Sequence, residues 1–497
     1  MEVSFDLPDP SYDAYTWQLD DEHAPMAQPP LTRNMSGMGG PPDGDIPGNI
    51  SVGGYSYRRV GAAFGGGSRI DDGLTALERW REKWLPQVEK AIASMKAFQP
   101  RDVADGEWTA WIEKENAEFG RIFRGVHVET VFPVVMAATS LMQTFADEFG
   151  EGREADAHAL MHGFSNATLR RAEALWELSR LVRGDAQVLA ALRAWPNDAG
   201  VTSGGEFGTA FQDFLDEHGA TLDGNLLDMP TWVEDPAPVV QMLLKYAAMP
   251  DGTGPPDTAA RAEARRIELE AEVEASGSDA LKRRLTRAQE RVIVGEDHNV
   301  LNDQRMFAAA RGRWLAVGGR LVELGAAAQP DDVFLYEGDE LGAALDGGVV
   351  VPAGELAKRR ETLAAFRVAT PPKVLGKPLE DSAMETDPED GLIHGTPASA
   401  GTTRARARVL RTLADAERLQ PGEVLVATIT MPAWTPLFAV AGAVVTDAGG
   451  VLSHPAVVAR EFGIPAVVGT GNATARIADG DMVIVDGSAG TIEIEGP

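Results

Sequence analysis

The chain of 497 residues contains no cysteine. That excludes disulfides, thiolate metal centres and a cysteine nucleophile. Histidine is scarce, with 8 residues, so few side chains titrate near neutral pH and each one counts. Positive charge is short as well. Only 45 Lys and Arg stand against 75 Asp and Glu, leaving a net charge of -30. A balance this acidic argues against nucleic acid and against anionic membrane surfaces as partners. It does not exclude a free nucleotide held by a local patch. No apolar run of about 18 residues is evident, so no membrane span is expected. The N-terminus lacks a basic segment followed by an apolar one, so no signal peptide is expected either. A cytoplasmic location follows as the expectation. Hydrophobic residues make up 44% of the chain, enough for a sizeable core spread over two to four domains at this length.

The pattern along the chain divides it in four. Residues 1–70 are rich in Pro, Gly, Asp and Tyr and read as an extended arm with turns and one short strand, Ser51–Val60. From 71 to 366 the apolar spacing is helical. Helices are predicted over 72–97, 106–148, 152–184, 186–195, 208–218, 236–249, 257–290, 294–325 and 353–366. The segment 257–290 is dense in Glu and Arg at i,i+4 spacing and reads as a solvated face. Residues 367–390 carry Pro371, Pro372, Pro378 and several acids, the composition of a linker. Beyond it the period shortens. Strands are predicted over 395–409, 423–429, 441–446, 466–468, 482–485 and 491–494, with helices at 412–418 and 454–462. Residues 391–497 therefore form a compact α/β domain.

That domain holds the most informative stretch. Residues 446–469 read TDAGGVLSHPAVVAREFGIPAVVG. His454 follows a Gly-Gly turn and a Ser, at the start of a predicted helix. Gly449 and Gly450 permit positive φ and a close approach of backbone to an anion. Ser453 is a good N-cap residue, and Pro455 is tolerated in the first turn. Free amides and the helix dipole there favour a phosphoryl dianion. An imidazole titrates near neutrality, so a nucleophilic nitrogen is available without extreme tuning. Gly449, Gly450, Ser453 and Arg460 are the candidate phosphate-binding residues, and His454 is the candidate phosphoryl carrier.

The string resembles the mobile phosphohistidine domain of the phosphoenolpyruvate-synthase and pyruvate-phosphate-dikinase group. The resemblance extends outward. Residues 432–438, PAWTPLF, are similar to the segment before the histidine in rifampin phosphotransferase and phenylphosphate synthase. So are 160–168 (LMHGFSNAT), 175–178 (LWEL), 228–236 (DMPTWVEDP), 330–334 (PDDVF) and, at the front, 15–23 (YTWQLDDEH). The resemblance implies a large, mainly helical acceptor-binding domain followed by a small swivelling β/β/α phosphohistidine domain. The family's ATP-grasp domain finds no match, and the Gly65–Gly67 run lacks phosphate-loop spacing. The expectation is a split enzyme like the aryl-phosphate synthases. A separate ATP-grasp-type subunit would bind ATP and Mg²⁺ and phosphorylate His454, giving AMP and phosphate. His454 would then pass the phosphoryl group to a hydroxyl of a small, phenolic acceptor. The alternative is a phosphohistidine carrier or regulatory protein, served by a phosphoenolpyruvate- or ATP-dependent partner, with no acceptor chemistry.

An acceptor hydroxyl needs a base. A phenol has a pKa of about 10, which a carboxylate or imidazole can address in a transition state. Glu296, Asp297 and His298 in the run GEDHN are the candidates, and His127, in RGVHVET, is a further one if it faces the cavity beside the acceptor. The competing reading is an acidic helix start at 296–297 and a core histidine at 127. His158 and His162 lie four apart on a predicted helix, but no third ligand is apparent and no metal site is expected.

Overall fold

The computed structural model describes residues 3–20, 26–36, 46–61, 74–150, 152–196, 199–202, 204–378, 391–451 and 453–495. The Gly65–Gly67 run and residues 379–390 of the expected linker lie outside them.

The front of the chain is not an extended arm. Strands β1 (Thr16–Leu19), β2 (Asn49–Val52) and β3 (Tyr55–Arg59) form an antiparallel sheet, joined at its edge by β4 (Val374–Gly376) in the order β2-β3-β1-β4. Trp17, Leu19, Ile50, Val52, Tyr55 and Tyr57 bury one face at strand period two. The Tyr57 hydroxyl donates to the carbonyl of Pro372 at 3.0 Å. The expected linker therefore begins as structure. The chain returns from the helical region, closes this sheet, and only then leaves it.

The central region is helical. Long helices run over Trp108–Val126, Phe132–Phe149, Ala167–Gly184, Pro255–Ser276, Asp279–His298 and Met306–Glu323. Where one helix was expected over 152–184, the structure has Glu154–Ala159 and Ala167–Gly184, because Gly163 turns the chain at φ 73° and Asn166 caps the second helix. The expected break near 291–293 is absent. The chain stays helical from 279 to 323, with a π-helical segment, Asn299–Arg305, inserted. A second π segment, His127–Val131, joins the helices before and after it. The resulting stretch 108–149 is long and apolar enough to cross a membrane by length and composition, contrary to the sequence expectation. Its residues Phe119, Phe123, Leu141 and Phe145 are nevertheless packed in the helical cores.

Residues 391–495 carry eight further strands: β5 (Ile393–His394), β6 (Thr396–Ser399), β7 (Thr402–Val409), β8 (Val424–Ala427), β9 (Ala443–Thr446), β10 (Ala466–Val468), β11 (Met482–Asp486) and β12 (Thr491–Ile494). Their order is β5-β12-β11-β7-β8-β9-β10-β6. The central strands β7 to β10 are parallel, and β8, β9 and β10 are buried on both faces. Alternation sorts their side chains. Val424, Val426, Val445 and Val467 join a cluster inside this domain. Leu425, Val444, Ala466 and Val468 point the other way, into a cluster that also contains Leu175, Trp176, Phe211, Leu243 and Tyr246 of the helical region. The mobile domain is thus seated on the helices through one continuous apolar layer.

Polar contacts fix the orientation of that seat. Trp434 donates its indole N–H to Asp223 at 2.8 Å, and Asp223 also accepts from the Leu413 amide at 2.8 Å. Lys245 donates to the Glu417 carbonyl at 3.1 Å and to that of Leu419. On the far side, the buried Glu461 carboxylate takes the Gly163 amide at 3.2 Å and lies 3.1 Å from Nδ1 of His162.

Candidate active site

His454 stands at the carboxyl end of the parallel strands, where open α/β sheets bind their ligands. The loop 447–453 leaves β9, and His454 is the first residue of the helix His454–Phe462 that leads to β10. Asp447 braces the loop. Its carboxylate accepts from Thr470 and from the Thr474 amide, each at 3.1 Å, and from the Thr474 hydroxyl. Gly449 has φ 108°, and a Cβ there would meet Ser453 Oγ at 2.7 Å. Gly450 has open space around it and no positive φ, so only the first glycine of the pair is required by backbone conformation.

One expectation for this loop needs correction. Ser453 occupies the N-cap position with extended backbone, but its hydroxyl donates back to the Gly450 carbonyl at 2.7 Å and makes no side-chain cap. It closes the loop and leaves the helix amides open. Arg460 donates to the Val451 carbonyl at 2.7 Å. That contact ties the helix's last turn to the loop.

The imidazole faces the helical region. Nε2 of His454 lies 3.3 Å from the Thr435 hydroxyl. Nδ1 is buried, makes no hydrogen bond, and lies 3.9 Å from a carboxylate oxygen of Glu296. At that separation the contact is electrostatic, since a hydrogen bond requires closer approach. Glu296 is itself buried, and its second oxygen accepts from Thr168 at 2.5 Å. Burial raises the Glu296 carboxyl, but the facing His454 imidazole and the Thr168 hydroxyl hold it below the usual carboxylate range. A carboxylate facing Nδ1 favours the proton on that nitrogen and leaves Nε2 as the nucleophile. Behind Thr435, whose hydroxyl also contacts the Pro432 carbonyl at 3.0 Å, the buried Arg171 donates to the same carbonyl and to Thr221 at 3.2 Å. Burial depresses the Arg171 guanidinium to about 10, still a cation at neutral pH.

The four candidate bases separate. Glu296 is in the last turn of the helix Asp279–His298, not at a helix start, and it faces His454. Asp297 points elsewhere, accepting from the Ala167 amide at 3.2 Å and lying 3.6 Å from Arg170. Burial raises its carboxyl. His298 and His127 come together with their rings 5.1 Å apart, beside Asp303. Thr168, Arg171, Thr435 and Asp303 are absent from the sequence-based site. Thr168 and Thr435 lie in segments singled out for their resemblance, 160–168 and 432–438. The others are signalled by nothing local, because helical periodicity alone makes them core or surface positions. A cleft of about 280 Å³ between the helices, lined by Lys90, Glu115, Phe119, Arg121, Met306 and Arg313, includes neither His454 nor Glu296.

Residues 419–490 match the family model of the PEP-utilising enzyme mobile domain, and residues 127–294 match the rifampicin phosphotransferase fourth domain. These two stretches are similar to PEP-utilising, rifampicin-phosphotransferase-like proteins. Among named relatives, the chain is 30% identical over 443 residues to the rifampicin phosphotransferase of Streptomyces sviceus, covering 82% of this chain and 49% of that one. It is 29% identical to the uncharacterized phosphotransferase YvkC of Bacillus subtilis, over 74% of this chain and 47% of that one. Chondramide synthase cmdD of Chondromyces crocatus is 32% identical over 457 residues, 84% of this chain and 12% of the relative. The chain therefore spans about half the length of the two phosphotransferases and a small part of the synthase.

Proposed function

We propose that this chain is the carrier and acceptor part of an ATP-dependent, dikinase-type phosphotransferase. His454 receives a phosphoryl group on Nε2 and passes it to a hydroxyl of a small acceptor held by the helical region. The observation that carries this reading is the seating of His454, in a phosphohistidine-type domain, against the buried carboxylate Glu296 of the neighbouring domain.

In the donor step the β-phosphoryl of ATP goes to Nε2, one water takes the γ-phosphoryl, and AMP and inorganic phosphate leave. We place the nucleotide and its Mg²⁺ on a separate ATP-binding subunit, as the resemblance to aryl-phosphate synthases implies. In the acceptor step the N–P bond breaks and an O–P bond forms. The Nδ1 proton remains facing Glu296, so imidazole leaves as a neutral group. The acceptor's proton passes to solvent, since Glu296 lies on the Nδ1 side of the imidazole and keeps the proton there. Thr435 holds Nε2 between transfers. A phenol is the proposed acceptor, on resemblance alone.

The test is incubation of the chain with a candidate ATP-binding partner, Mg²⁺, and ATP labelled separately at β and γ. Acid-labile β-label on the chain, lost in His454→Ala, with AMP as product, is expected. Chase with phenols or other hydroxylated acceptors should move the label to an acid-stable ester. Label from γ, label from phosphoenolpyruvate alone, or label that no acceptor discharges would overturn the reading in favour of a phosphocarrier or regulatory protein.

A further inference from the structure

We propose that His127, His298 and Asp303 form a binding site for one divalent transition-metal cation, with Zn²⁺ the best-matched ion. The three side chains come from two chain segments facing each other inside the helical region. Nδ1 of His127 is 2.8 Å from the Phe123 carbonyl, and Nδ1 of His298 is 3.1 Å from that of Val294. A carbonyl oxygen only accepts, so both Nδ1 atoms carry a proton. A neutral ring then has its lone pair on Nε2. Both Nε2 atoms lie 3.7 Å from the same oxygen, Oδ2 of Asp303. The other Asp303 oxygen accepts from Asn302 at 2.8 Å, which fixes the carboxylate's orientation.

Three lone pairs therefore converge on one point with no proton between them. The three ligand atoms all lie within 4.8 Å of one another. Bonds of about 2.1 Å around a tetrahedral ion place neighbouring ligand atoms about 3.4 Å apart, so the two 3.7 Å separations from Asp303 Oδ2 close with shifts of a few tenths of an ångström, while the widest pair, within 4.8 Å, closes by up to about 1.4 Å. The alternative is to protonate both Nε2 atoms. That buries two imidazolium charges against one carboxylate. Each histidine donating its remote N–H to a backbone carbonyl is also the arrangement that fixes a metal-binding tautomer.

The backbone supplies a second, independent sign. His127 opens one π-helical segment and Asp303 lies within another, Asn299–Arg305. π-turns are rare and recur where a helix must re-aim a functional side chain. Two of them converge here. Two imidazoles and one carboxylate suit Zn²⁺ or a neighbouring first-row ion better than Mg²⁺, which prefers oxygen ligands throughout. Three protein ligands leave a position open for an oxygen ligand.

The site itself is tested without activity. The purified chain, stripped with chelator, is titrated with Zn²⁺ and Co²⁺ by calorimetry and by Co²⁺ absorption. One equivalent per chain is expected, with the visible bands of a low-coordinate nitrogen and oxygen site. Asp303→Asn and His298→Ala should each weaken binding at least tenfold, while His394→Ala, an exposed histidine of β5, should leave it unchanged. Circular dichroism checks that each variant is folded, and near-isosteric Asp303→Asn carries the test if His298→Ala is not. Absence of a stoichiometric Co²⁺ spectrum in the wild type, or equal binding in folded Asp303→Asn, overturns the proposal. Stoichiometric binding in a chain inactive as a phosphotransferase would leave the site standing.

Discussion

Glu296 and His454 show how much depends on one buried pair. Neutralising the carboxylate keeps the shape but removes what favours the proton on Nδ1. Glu296→Gln should slow phosphoryl transfer to the acceptor about a hundredfold, measured as discharge of labelled His454 in single turnovers, with the fold unchanged by circular dichroism. Gly449 is a different kind of dependence. Its φ of 108° and the nearby Ser453 Oγ leave no room for a Cβ. Gly449→Ala should cost about 1–3 kcal/mol and lower the melting temperature, whereas Gly450→Ala, with open space, should cost less than 1 kcal/mol. His218 provides a pH signature. Burial depresses its imidazole to about 4, below the unfolded value of about 6.5. The unfolded chain therefore binds the extra proton first as pH falls. The His218 contribution to stability is complete above pH about 6.5 and is lost as pH drops toward 4. Urea titrations at several pH values should show that loss diminished in His218→Asn.

At the level of elements, local signals and tertiary demands part company. The helix His454–Phe462 and the strands β10 and β12 lie where the residue pattern predicts, because a Gly-bounded helix and short β-branched runs declare themselves. The boundary near 291–293 does not appear. The acids at 296–297 resemble a helix start, yet packing carries the helix through them and places one of them, Glu296, in the core. The sheet at the front was missed for another reason. Its strands have three to five residues each, and the edge strand β4 comes from the far side of the helical region, so no contiguous pattern exists to read. Glu461 links the helix Pro255–Ser276 side of the molecule to the phosphohistidine helix. Glu461→Ala leaves the Gly163 amide and His162 Nδ1 without their carboxylate. Leaving these buried donors without an acceptor costs about 1–3 kcal/mol, so small-angle scattering should report a larger radius of gyration as the seat of the mobile domain weakens.

Over the whole molecule, the apolar layer shared by β8–β10 and the helices sets the resting position of His454, and the polar contacts at Asp223, Lys245 and Glu461 choose its orientation. A carrier that also visits a donor site must release all of these together. Asp223→Ala combined with Glu461→Ala acts at separated points and should add in its effect on docking. In that double variant the acceptor step should slow while labelling of His454 by a donor is preserved or faster, a contrast that single-turnover measurements of the two half-reactions resolve.

The residues alone determine that this chain carries a phosphohistidine-type module. A Gly-Gly turn, one imidazole and a helix start are consecutive in sequence, and local conformation suffices to bring them together. They also determine the division into a helical region and a C-terminal α/β domain, since hydrophobic period is a local property. Only the tertiary structure decides which groups face the imidazole. Glu296, Thr168 and Arg171 come from helices distant in sequence, and His127 meets His298 and Asp303 because two π-turns rotate their helices toward one point. Long-range packing, not any pattern along the chain, selects those partners.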